Sequence, residues 1–70
     1  MDFVALTDLA TGRPVMVRVD QIWSMRPHYP VDRAGVEAKE PAGTVLGLLA
    51  GAQPIVAEQL VEVIAILDLN

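Results

Sequence analysis

Nucleophilic and acid–base catalysis need a Ser, Thr or Cys beside a His or Lys that a further group orients. This chain of 70 residues offers little from which to build such a set, with one histidine, His28, one lysine, Lys39, and no cysteine. His28 stands between Pro27 and Tyr29 at the start of a Pro-containing, charge-rich stretch, and Lys39 lies inside that stretch. Neither has a second catalytic group at a defined spacing, so a solvated loop histidine is the simpler reading of His28. Glu58 and Glu62, four apart, could pair as carboxylates on one helical face, but they read more simply as the wet side of a helix. One histidine without cysteine leaves no zinc ligand set. The expectation is a protein that is not an enzyme, with no catalytic residue, no metal and no cofactor.

Two further groupings invite a chemical reading. Gly43, Gly47 and Gly51 recur every four residues, yet no Lys-Ser/Thr follows them as a phosphate loop requires, and the segment is too short for a membrane helix packed through small residues. Gly47 within a strand marks a bulge or a close approach by another backbone. Trp23 with Met16, Met25 and Arg26 could form a ligand-binding patch, or Trp23 could fill a core or an interface.

The elements that position these residues are mostly strands. Phe3 to Leu9 favours β structure and ends at Ala10-Thr11-Gly12-Arg13-Pro14, where Gly12 can take a positive φ and Pro14 can only begin a strand. Val15 to Val19 alternates, with Val15, Val17 and Val19 on one side and Met16 and Arg18 on the other. After a break at Asp20-Gln21, Ile22 to Arg26 is extended, and Pro27 is expected to end it. Residues 28–43 read as a mobile surface loop. Thr44 to Ala50 and Pro54 to Ala57 flank a turn at Gly51, and the first of these strands, apolar on both faces, is expected to lie between the helix and a neighbouring subunit. From Glu58 to Leu69 the period becomes helical: Leu60, Val63, Ile64 and Leu67 share the inward face, and Ile66 projects away beside Glu62. The fold class expected is α+β, mainly β: a small antiparallel five-stranded curved sheet or roll closed by one C-terminal helix, a single domain over residues 1–70.

Composition narrows the partners. The chain is 53% hydrophobic with one Trp, one Tyr and one Phe, so the apolar content is aliphatic. Without disulfide or metal, the usual support for so small a domain is oligomerisation. Five basic residues against nine acidic ones, net charge −4, disfavour nucleic acid, which is bound by clustered Lys and Arg. The uncharged run from Pro41 to Ala57 is shorter than the roughly 20 residues of a membrane span and is interrupted by Gly and Pro. Met1-Asp2-Phe3 does not open a secretory signal, and a cytoplasmic location is expected.

The pattern resembles the FlbD-like family of small flagellar proteins, also known as SwrD. Leu6-Thr7-Asp8-Leu9 with Gly12 matches the opening of that family, Val19-Asp20-Gln21-Ile22 its second element, and Gly43-Thr44-Val45-Leu46 its third. Gly51 matches the turn, and Val56-Ala57-Glu58 with Glu62, Val63 and Leu67 the helix start. Gln59 stands where the family usually has Ser, Ala10 and Thr11 lengthen the first turn, and the Pro-containing loop is long. The resemblance implies a role linked to the flagellar motor and carries no catalytic residues.

The expected function is therefore a small non-enzymatic protein-interaction module that self-associates, with a two-fold dimer as the commonest arrangement. A face built from Trp23, Leu46, Leu48 and Ile66 is the expected contact, preferred to strand edges interrupted by Pro14, Pro27 and Pro54. Two other readings stand beside it: a regulatory or inhibitor protein of a phage, plasmid or gene cassette that binds one protein target, and a small-ligand binder using Trp23 and the loop.

Overall fold

A computed structural model describes residues 2–69. It is α+β, mainly β, with antiparallel strands and one helix near the C-terminal end. Strand β1 (Phe3–Thr7) pairs with β2 (Pro14–Arg18), Val4 opposite Val17 and Leu6 opposite Val15. The turn between them is made as its residues dictate. Gly12 takes φ 72°, and the Asp8 carboxylate accepts from the Thr11 N–H and hydroxyl at 3.1 and 2.9 Å. Pro14 opens β2, where its missing donor does least harm.

A single 3-10 turn at Val19–Gln21 redirects the chain into β3 (Ile22–His28), which pairs with β4 (Gly43–Leu48), itself paired with β5 (Ile55–Val56). The five strands thus form a two-stranded and a three-stranded sheet, not one continuous sheet. The reason lies at the junction, where β1 meets β5 for one bridge only, Asp8 opposite Val56. Ala57 N–H donates to Thr7 O at 2.7 Å and Leu9 N–H to Ile55 O at 3.0 Å, after which the strands diverge. The result is a folded corner.

Pro27 does not end β3, which continues to His28. Leu46 and Leu48 send their N–H groups to Pro54 O and Ala52 O, so Thr44, in step with them, also faces β5. Pro27 is opposite Thr44; the N–H it lacks would have pointed out from an edge strand, away from β4.

Residues 29–42 are mostly exposed but follow a definite path. Val31 bridges Glu37, Ala42 N–H donates to His28 O at 2.8 Å, and Asp32 Oδ1 accepts from the Ala34 and Val36 N–H groups at 2.8 and 2.9 Å. The β3–β4 hairpin therefore runs on to a tip near Gly35. Thirteen residues from Ile22 to Ala34, at about 3.3 Å each, are enough to supply the long dimension of a molecule measuring 43 × 23 × 21 Å.

Helix α1 (Leu60–Asp68) closes the core. Its first turn is tied by the Gln59 N–H to Glu62 Oε1 at 3.0 Å and by the Gln59 amide to Pro41 O at 3.0 Å. Val4, Leu6, Val17, Leu46, Val56 and Val63 form the buried centre, with Met25, Leu48, Ile66 and Leu67 packed round it. Both sheets contribute to this one core. Gly43 through Gly47 are all buried within a single chain, so this stretch of the strand, expected to need a neighbouring subunit on one face, is already buried without one.

Candidate interaction surface

The residues with chemical potential are dispersed or already engaged. His28 is the half-buried last residue of β3, not a loop residue, and Lys39 is exposed on the far hairpin. Glu58 precedes the helix and is no solvated flank: Oε1 accepts the Thr7 N–H at 2.8 Å and Oε2 the Thr7 hydroxyl at 2.9 Å. Its own carbonyl accepts the Thr44 hydroxyl at 2.8 Å. Partial burial opposes ionisation of this carboxyl, but the Thr7 N–H, its own N–H and the Thr7 hydroxyl outweigh that and hold its pKa below the ordinary value of 4.5. Glu62 is engaged at the helix start. Among the described residues no three His, Cys, Asp or Glu side chains gather to hold a metal ion, and no helix is long and apolar enough to cross a membrane.

The four residues expected to form one contact face do not share it. Trp23 is 66% exposed, whereas Leu46 is wholly buried and Leu48 packs against the core. Ile66 also packs against the core, while Ile64, expected inside, is 44% exposed. At 100° per residue Ile66 lies about 60° to one side of Val63 and Ile64 about 100° to the other. The helix is rotated relative to the sequence expectation, and Ile66 replaces Ile64 on the inward stripe. Met16 and Met25 likewise part from Trp23: Met16 lies outward on β2, in the other sheet, and Met25 packs inward.

Trp23 and Arg26 do share a face, the side of the three-stranded sheet turned away from the core. The pairing slips between Ile22 and Ser24, a bulge opposite Gly47. A side chain at Gly47 would collide with the Ser24 hydroxyl and come within 3.3 Å of the indole nitrogen. The missing side chain is what lets Trp23 lie down against the strand. Arg26 reaches across β4, over the buried Val45, to Gln53 Oε1 at 3.2 Å. Leu49, in step with Val45 and Gly47, is 63% exposed at the end of this face.

A second apolar surface lies on the helix. Val61 is 72% exposed, and with Ile64, Ala65 and Asp68 it forms an outward stripe at the i, i+3, i+4, i+7 spacing. That spacing was readable in the sequence, as a second stripe competing with the first. Phe3 and Met16 form a smaller exposed pair on the outer side of β1 and β2.

No family model matches the chain, and neither a curated protein nor a solved structure gives a significant match.

Proposed function

We propose that this chain is a small protein-interaction module without catalytic activity of its own, and that it self-associates. The observation that carries the reading is an imbalance: among the described residues ten large hydrophobic side chains are exposed, against seven hydrophobic residues in the buried core. Apolar side chains exposed singly are ordinary, but contiguous apolar faces are uncommon on monomers. Four of the ten fall on two faces, Trp23 and Leu49 on the sheet and Val61 and Ile64 on the helix. The accessible surface is also large, in part because the hairpin protrudes. It measures 4838 Å², against about 4,250 Å² for a compact monomer of this mass on the area–mass relation.

The resemblance to the FlbD-like flagellar family supports a non-enzymatic, partner-binding role, and Glu58 and Glu62, the carboxylate pair the sequence offered, are both engaged in structural contacts. Sedimentation velocity across a dilution series tests the self-association. The expected result is a mass that rises with concentration above 7.5 kDa; a single 7.5 kDa species throughout overturns it.

A further inference from the structure

The two exposed apolar faces differ in charge and point in opposite directions. On the outer face of the three-stranded sheet Trp23 and Leu49 lie toward the end where β3 begins and Arg26 stands further along β3, opposite Val45, and no position of β3, β4 or β5 carries a carboxylate. The outward stripe of α1 is the reverse: Val61 and Ile64 are accompanied by Asp68, with Glu62 alongside, and the helix has no basic residue. The helix packs its Val63 side on the core face of the sheet, so the stripe faces away from the sheet on one side of the molecule and Trp23 faces away on the other.

We infer that the occupant of the Trp23 face is the α1 stripe of a second copy of this chain, an inference that rests on the self-association proposed above. An aliphatic stripe edged by acids meets an aromatic and aliphatic face edged by Arg26. Like faces brought together would instead set acid against acid or leave Arg26 opposite itself. Because the two faces lie on opposite sides of one copy, the contact cannot be reciprocated within a pair. It is head-to-tail, each copy giving its helix to one neighbour and its sheet to another, and it closes as a ring or continues as a chain. This replaces the two-fold dimer expected from the sequence. A helix of nine residues is only about 13 Å long, so each contact is small and association depends on concentration. The Arg26 pairings lie at the rim, where they set register and salt sensitivity more than affinity.

Complementation between two variants tests this. Val61→Asp spoils only the stripe and Trp23→Asp only the sheet face. Both positions are more than 60% exposed, and Ile64→Asp and Leu49→Asp serve as second variants if far-UV circular dichroism shows either first one misfolded. Wild type is expected to grow past two copies as concentration rises to about 1 mM, where a contact of millimolar Kd is half-formed. Each variant alone is expected to remain at 7.5 kDa. Their equimolar mixture is expected to form a species of 15 kDa, twice 7.5 kDa, and to stop there, since that pair joins the one intact stripe to the one intact sheet face. A wild type that associates while the mixture remains monomeric overturns the head-to-tail contact and leaves self-association standing, as does a wild type that stops at two copies. A wild type that is monomeric throughout overturns both.

Discussion

Thr7 and Glu58 hold each other by two hydrogen bonds, the threonine giving its N–H to Oε1 and its hydroxyl to Oε2 of the carboxylate, across 51 positions of sequence. The pair joins the end of β1 to the entrance of α1, where the two sheets meet at the Asp8–Val56 bridge. With the Thr44 hydroxyl on the Glu58 carbonyl, it ties down the chain just before the helix begins.

Acid should weaken the protein at this pair. The Glu58 pKa is lower folded than its ordinary value of 4.5, so its ionisation stabilises the fold above that value, and the contribution is lost as pH falls through the folded pKa. Denaturant midpoints taken from pH 7 down to about 3 should decline for wild type more steeply than for Glu58→Gln. Thr7→Val, which removes the hydroxyl and keeps the N–H, should cost about 1 kcal/mol at neutral pH. Parallel pH profiles for wild type and Glu58→Gln would contradict the assignment.

The rotated helix makes a prediction from two neighbouring isoleucines. Ile66→Ala removes packing from the core and should cost about 2 kcal/mol, at the low end for a buried aliphatic because the site is only partly buried. Ile64→Ala should cost well under that, about 0.5 kcal/mol, as for an exposed position. Thermal melts of the two variants decide the order, and a larger loss at Ile64 would restore the face expected from periodicity.

Gly47→Ala should strain the bulge, since the added methyl meets the Ser24 hydroxyl and the Trp23 indole. The expected cost is about 1–3 kcal/mol, with a changed tryptophan emission as the ring is displaced. Ser24→Gly in the same chain should recover part of the loss by removing the nearer obstacle. Gly43→Ala should be worse and resist such rescue, because its methyl meets the backbone carbonyl of Val56.

At the hairpin tip, Asp32→Ala removes the acceptor of the Ala34 and Val36 amides. Hydrogen exchange of Val36 should quicken, while core amides such as that of Leu46 keep their protection. A loss of protection in the core would show that the tip is coupled to the rest of the fold.

Features decided by local chemistry were legible in the sequence, and features decided at a distance were not. Gly12 and Gly51 bend the chain where positive φ is needed, and Pro14 opens a strand, because turn preferences act over a few residues. The last helix was evident from its period. Its rotation was not, because Leu60–Val63–Ile64–Leu67 and Leu60–Val63–Ile66–Leu67 are both plausible stripes, and the choice depends on contacts with residues distant in sequence, among them Thr7 and Thr44 on Glu58 and Pro41 on Gln59. Pro27 misled for the same reason: whether a proline ends a strand depends on which side of the ladder its nitrogen faces. At the candidate surface, Trp23 was singled out by its type. Leu46 and Leu48 belong to the core and not to the surface, and a strand apolar on both faces does not announce that its cover comes from within one chain.

The long reach between Thr7 and Glu58 has a kinetic side. The β1–β2 hairpin closes over a short turn, but its Val4 and Leu6 face shares a core with Leu46, Val56 and Val63, the last two from the far end of the sequence. Closing a loop of that size costs entropy before any contact repays it. The clamp therefore belongs to the late side of the folding barrier. Breaking it should leave the rate of folding nearly unchanged and accelerate unfolding, so that Thr7 and Glu58 govern how long the molecule stays folded and not how quickly it gets there.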